Sequence, residues 1–132
     1  MLTIDKLTSF GANVKEGMNR CLNNEQFYLT LVDKSVRSPA FDQLKDALDQ
    51  KDLTKAFELS HSLKGVVANL ALTPILTPIS KMTEMLRNRE DADYSELVTE
   101  VLLQRDKLLA CCNGSKTIIQ TRPRAVRKSN LL

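Results

Sequence analysis

The sequence has little of what most enzyme sites are built from. Its 132 residues include one histidine, no tryptophan, four glycines and four prolines. A single histidine cannot form a multi-histidine metal site, and there is no glycine-rich phosphate-binding loop. No nucleotide-binding module can be identified either. We therefore expect a protein that is not an enzyme by itself and that holds no metal or cofactor of its own.

Cysteines and long apolar runs are also scarce. The three cysteines, Cys21, Cys111 and Cys112, leave an odd count for disulfides and have no metal-ligand spacing. A bridge between adjacent cysteines would be strained. No apolar run is long enough for a signal peptide or a membrane span. These absences predict a cytoplasmic protein that is not bound in a membrane, and we expect it to be free-standing and monomeric.

Charge is distributed unevenly along the chain. The net charge is +3, but residues 113–132 carry five basic side chains and no acidic one, which leaves 14 basic and 16 acidic side chains before them. This balance argues against a nucleic-acid surface on the main domain. We predict a helical domain over residues 1–114 and a basic, disordered tail over 115–132. The tail either keeps the protein soluble or binds an acidic partner or a membrane surface.

Helical periodicity and helix-capping residues dominate the domain. Thr3, Asn13, the Asn-Asn-Glu segment at 23–25, Ser38 and Asp52 each precede an apolar stripe at helical spacing. We expect the Asp52-capped helix to reach residue 70 or 72. Because Pro74 and Pro78 follow, we predict irregular structure over 72–77 and a new helix from 78 to about 89. Charged residues 84–93 are expected in solvated turns. The fold class is all-α, an up-and-down antiparallel four-helix bundle with one or more short additional N-terminal helices.

The single histidine lies on the helix that follows Asp52. At about 100° per residue, seven residues of this helix, six of them apolar, cluster in one sector that we assign to the core. They are Ala56, Leu59, Ser60, Leu63, Val66, Val67 and Leu70. His61 falls on the opposite side, and so do Phe57, Lys64, Gly65 and Ala68. We therefore predict that His61 is exposed.

The neighbours of His61 suggest group transfer. Neutral imidazole is a nucleophile near pH 7, and its attack on an acyl phosphate gives a phosphohistidine. The ammonium of Lys64 would attract such an anionic group. Gly65 costs about 1 kcal/mol of helix propensity relative to alanine, which is best explained if something must approach the helix closely. Phe57 and Ala68 add apolar surface that is typical of a docking face.

The segment "SHSLKGVVANL" resembles the active-site helix of histidine-containing phosphotransfer (HPt) domain proteins of bacterial two-component phosphorelays, whose signature is His-x-x-Lys-Gly. The resemblance covers roughly residues 10–110. It implies that His61 is the phosphoacceptor, that Lys64 stabilises the phosphoryl charge and that Gly65 gives steric access. The family often has glycine where this helix ends, whereas this chain has Ala71.

The resemblance also implies partners. A response-regulator receiver domain, a hybrid sensor histidine kinase or both would exchange the phosphoryl group with His61, and Phe57 and Ala68 would contact the receiver. The Mg²⁺ needed for transfer is expected on the partner receiver domain. The alternative is a non-catalytic helical scaffold that binds a receiver without carrying phosphate.

Overall fold

The computed structural model describes residues 1–113, which form seven α-helices and no strand. The helices are α1 (Ile4–Phe10), α2 (Val14–Arg20), α3 (Glu25–Val36), α4 (Ala40–Asp49), α5 (Leu53–Asn69), α6 (Thr73–Arg87) and α7 (Ser95–Cys112). The all-α prediction is confirmed for this part of the chain. The predicted disordered tail, residues 115–132, lies outside the described residues.

Side-chain caps start four of the helices where the sequence predicts them. The side chains of Thr3, Asn13, Asn24 and Asp52 each accept a hydrogen bond from the backbone N–H three residues on. These bonds satisfy N–H groups that have no partner within the helix. The start of α4 differs by one residue: Ser38 Oγ accepts from the N–H of Ala40 at 3.2 Å, and Pro39 is the capping residue.

The prediction for residues 72–89 was wrong. One continuous helix, α6, runs from Thr73 to Arg87 and includes both prolines. Pro74 lies in the first turn, where an N–H would have no partner within the helix, so it costs nothing there. Pro78 removes one internal hydrogen bond, but Pro78 is buried, and so are Ile75 and Ile79 of the same helix. Burial of this apolar face offsets the lost bond.

Helices α4 to α7 contact one another in a closed series. Helix α5 packs between α4 and α6, α6 also packs against α7, and α7 contacts α4. The N-terminal helices α1 and α3 contact α7, and the shared core contains side chains from all the helices except α2. The up-and-down direction of the four helices stays a prediction.

Among residues 1–113, no helix is both long enough and apolar enough to span a bilayer.

Candidate functional site

Helix α5 presents His61 to solvent. The N-terminus of the helix is fixed by Asp52, whose carboxylate accepts from the N–H of Lys55 at 3.1 Å. Its buried side chains are those of Ala56, Ser60, Leu63 and Val67, and they pack toward the core. His61 lies on the other side and is exposed, as the helical periodicity predicts.

The imidazole of His61 is stacked on an aromatic ring. The rings of Phe57 and His61 have centroids 5.5 Å apart and planes inclined by 19°. The guanidinium carbon of Arg87, from α6, lies 5.3 Å from the centroid of the Phe57 ring, within the range of a cation–π contact. Because of these contacts Phe57 is half-buried, rather than openly exposed as expected from the sequence.

Lys64 is one turn beyond His61 and is paired across the helix interface. Its ammonium lies 3.8 Å from the Glu84 carboxylate on α6, and Arg87 Nε lies 3.4 Å from the same oxygen. Residues three apart on a helix are surface neighbours, so Lys64 and His61 share one face. Two cations and one carboxylate therefore surround the stacked rings of Phe57 and His61.

The space above Gly65 is open. A Cβ atom added at this position would meet no atom of residues 1–113 within 4 Å. The packing of this domain therefore does not require glycine there, although glycine costs helix propensity. Nothing in the described residues explains the glycine, and the open space leaves room for a group to approach α5 beside His61.

An open groove adjoins Gly65 between α3 and α5. It has a volume of about 600 Å³ and is lined by Leu31, Ser35, Ser62, Gly65, Val66, Asn69 and Leu70. Val66 was predicted to be in the core, but 40% of its surface is exposed. Of the helices that the structure describes, only α4 and α6 pack closely on α5, so the core stripe is narrower than the periodicity suggests.

The C-terminal end of α5 is held by residues from the N-terminal helices. The hydroxyl of buried Tyr28 donates to the carbonyl oxygen of Leu70 at 2.9 Å. The backbone N–H of Asn13 donates to the carbonyl oxygen of Ala71, also at 2.9 Å. The Arg20 guanidinium donates to the carbonyl of Ala68, which is half-buried. Burial raises the pKa of Tyr28 to about 12.

The chain turns sharply after α5 without glycine. Ala71 has a φ of +57°, and the N–H groups of Ala71 and Leu72 donate back to the carbonyls of Ala68 and Val67. This pattern is a Schellman motif, in which the left-handed position is usually glycine. Ala71 thus adopts the backbone conformation that glycine favours, and α5 ends as a glycine-terminated helix would.

The sequence missed three side chains near the site, namely Arg20, Glu84 and Arg87. Glu84 and Arg87 belong to the charged segment expected in solvated turns, but they lie within α6 and face α5. Their spacing of three residues indicates a helical ion pair. Nothing in their spacing indicates that they meet Lys64 and Phe57, because that contact depends on how α5 and α6 pack.

Among the described residues, no group of three or more His, Cys, Asp or Glu side chains could hold a metal ion.

Comparison with known proteins identifies the family. The family model described as Hpt domain matches residues 38–111, which is more than half of the chain and includes His61, Lys64 and Gly65. No curated protein and no solved structure matches the chain. Hpt domains are phosphocarrier modules that work with receiver domains and kinases. The chain therefore belongs to the Hpt domain family, with a role related to phosphotransfer in two-component signalling.

Proposed function

We propose that this protein is a phosphohistidine carrier in a two-component phosphorelay. His61 accepts a phosphoryl group from the aspartate of a receiver domain, or from a hybrid sensor kinase, and passes it to a response regulator. One observation carries the proposal: the only histidine of the chain is exposed on α5, with Lys64 one turn on and open space above Gly65. These three residues lie within the range that matches the Hpt family.

The transfer step exchanges one bond to phosphorus for another. A neutral ring nitrogen of His61 attacks the phosphorus of the receiver's aspartyl phosphate, and an N–P bond forms as the P–O bond to the aspartate breaks. The aspartate leaves as a carboxylate with the bonding electron pair. The proton on the other ring nitrogen remains on the imidazole until water accepts it. Transfer onward to a second receiver is the reverse step.

The chain's own residues position and stabilise the group in this proposal. Phosphoryl transfer depends mainly on positioning and on stabilising charge. The Phe57 ring fixes one face of the imidazole, and Lys64 supplies positive charge beside it. Gly65 leaves the approach to the ring unobstructed. The partner receiver supplies Mg²⁺, and the chain itself needs no cofactor.

The docking face includes the open groove between α3 and α5. Gly65 and Ser62 line this groove and are close to His61 along α5. Val66 and partly exposed Leu31 give the groove an apolar floor that a receiver helix could cover. Ala68 and the free edge of Phe57 extend the face on either side of His61.

The setting of the protein completes the proposal. Short turns join packed consecutive helices from α4 to α6, which supports the up-and-down four-helix arrangement. All three cysteines are free thiols, as is typical of proteins in the reducing cytoplasm. We place the protein there, as a monomer.

The test uses a receiver domain that carries labelled phosphate in the presence of Mg²⁺. The receiver is mixed with the wild-type protein and with His61→Gln, whose fold is checked by thermal unfolding. Label that is stable in alkali and lost in acid should appear on the wild type only. Binding of the receiver to both proteins is measured in parallel. NMR chemical-shift changes in this protein then map the surface that the receiver contacts.

The outcomes separate a carrier from a scaffold. Receiver binding that is retained by His61→Gln, together with loss of label, is the result expected for a carrier. A wild-type protein that binds the receiver but takes no label would contradict the proposal and indicate a scaffold. Shifts confined to helices away from α3 and α5 would contradict the proposed docking face.

A further inference from the structure

Five side chains of α5 and α6 form a series of contacts that begins at His61 and ends at Lys64. The Glu84 cluster consists of His61, Phe57, Arg87, Glu84 and Lys64. His61 stacks on Phe57, Arg87 lies over Phe57, and Arg87 and Lys64 both pair with the carboxylate of Glu84. Lys64 lies three residues after His61 on α5, so the two side chains share one face of the helix.

We propose that Glu84 is a positioning residue that competes with the phosphoryl group for the two cations of this cluster. While His61 is free, the carboxylate holds Lys64 and Arg87 beside the ring. When His61 is phosphorylated, the cations turn from Glu84 to the phosphoryl oxygens. The inference rests on the proposed function and adds Glu84 and Arg87 to its machinery.

The charges of the cluster favour such an exchange. A phosphoryl group carries close to two negative charges near pH 7, whereas the carboxylate carries one. The side chains of Glu84 and Arg87 are each about half exposed, at 55% and 47%, so water can replace either partner of the pair. Exposed pairs of this kind are weak and easily broken. Arginine also binds phosphate oxygens in a two-pronged geometry that a single oxygen of Glu84 does not use.

The consequence is a phosphohistidine that is less stable than it would be without Glu84, so the phosphoryl group can pass on to a receiver. Since Glu84 remains near the site as an anion, it offsets part of the positive charge that would otherwise stabilise phosphohistidine. Removing this one charge should shift the phosphoryl equilibrium toward His61. Removing Arg87 should shift it toward the receiver.

The first test is binding of inorganic phosphate, followed through the imidazole resonances of His61 at constant ionic strength. Because the chain has one histidine, the assignment is unambiguous. Glu84→Gln should bind phosphate roughly two- to fivefold more tightly than the wild type, the range expected for removal of one exposed ion-pair partner. Arg87→Gln should bind it more weakly.

Glu96→Gln is the matched control. Glu96 is an exposed glutamate in the first turn of α7 and makes no ion pair within residues 1–113, so the substitution changes net charge by the same amount away from the cluster. The control should bind phosphate as the wild type does. Equal binding by Glu84→Gln and Glu96→Gln would overturn the inference, since it would mean that only net charge matters.

The second test measures how the phosphoryl group divides between this protein and a receiver at equilibrium. Glu84→Gln should raise the phosphorylated fraction of His61, and Arg87→Gln should lower it. If Glu84 and Arg87 had a purely structural role, the two substitutions would change thermal stability but not the phosphorylated fraction of His61. That result would overturn the inference while the proposed function stands. If the wild-type protein takes no phosphoryl group, the proposed function itself fails.

Discussion

Residues 38–111 and the residues before them contribute to the site in different ways. The first region matches the Hpt family and carries His61, Lys64 and Gly65 on one exposed helix face. The N-terminal region, residues 1–37, lines part of the groove beside Gly65. It supplies Arg20 and Tyr28, together with the backbone N–H of Asn13, as donors to the last carbonyls of α5. One region holds the groups that react in the proposed function, and the other holds the helix that presents them.

Two glycines show this difference most clearly. A Cβ atom at Gly17, on α2, would lie 2.5 Å from the hydroxyl oxygen of Tyr28 and 2.6 Å from its ring. At Gly65 the same atom would meet no described atom of the chain within 4 Å. Gly17 is therefore required by packing within the chain, whereas Gly65 is not. The same residue type has a structural role in one region and, in the proposed function, a role in access in the other.

Gly17→Ala should produce the largest loss of stability. Tyr28 is fully buried, so its ring cannot move aside, and α2 must shift instead. Overpacking of this kind typically costs about 1–3 kcal/mol, and we expect a decrease of about 2 kcal/mol in the free energy of unfolding. Urea unfolding followed by circular dichroism measures it. An unchanged unfolding midpoint would show that α2 does not pack on Tyr28 as described.

Tyr28→Phe should come next. It leaves the carbonyl of Leu70 without its buried donor, and an unsatisfied buried group costs about 1–3 kcal/mol. We expect a loss of about 1.5 kcal/mol in the free energy of unfolding near pH 7. The rate of phosphoryl transfer to His61 should change by a smaller factor than the folding equilibrium does, because the substitution leaves His61, Lys64 and Gly65 unchanged. A loss of transfer without a loss of stability would contradict the division between the two regions.

The same variant tests the pKa of Tyr28. Burial raises the pKa of Tyr28 in the folded protein from 10.0 to about 12, so the folded state holds the phenolic proton more tightly than the unfolded chain does. This stabilisation is complete below pH 10 and is lost as the pH rises to about 12. The free energy of unfolding should therefore fall more steeply over this range in the wild type than in Tyr28→Phe. Burial also raises the pKa of Cys112 to about 12, but that thiol is present in both proteins and cancels in the comparison.

Gly65→Ala should have the smallest effect on stability, and with the opposite sign. Because the new methyl group meets open space, the gain in helix propensity should raise the free energy of unfolding by about 1 kcal/mol. Phosphoryl transfer should nevertheless slow, since the methyl group narrows the approach to His61. Thr99→Ala is the matched control: Thr99 is exposed on α7, outside the proposed docking face, and its substitution also favours the helix but adds no bulk. An unchanged rate of phosphoryl transfer in Gly65→Ala would show that Gly65 is not needed for access to His61.

Much of the fold could be predicted because its signals are local. Asp52 and Asn24 cap the helices that follow them, and helical spacing identifies the exposed side of α5. The continuous α6 could not be predicted from Pro78 alone. The cost of a proline inside a helix is local, but the burial that offsets it depends on which helices surround it.

The site was predictable to the same extent. His61, Lys64 and Gly65 lie within five consecutive residues, so their spacing alone places them on one helix face. Glu84, Arg87 and Tyr28 reach α5 from other helices, and no local pattern indicates those contacts. Val66 was assigned to the core because periodicity gives the direction of a side chain but not what packs against it.

The most direct test of the central claim is the NMR spectrum of the imidazole of His61 while the protein is exposed to a phosphorylated receiver and Mg²⁺. The chain has one histidine, so one set of ring signals reports the reaction. The account predicts that these signals are replaced by those of a phosphorylated ring as the receiver loses its phosphate, and that they return when an unphosphorylated receiver is added. Ring signals that stay unchanged while the bound receiver releases its phosphate to water would contradict it.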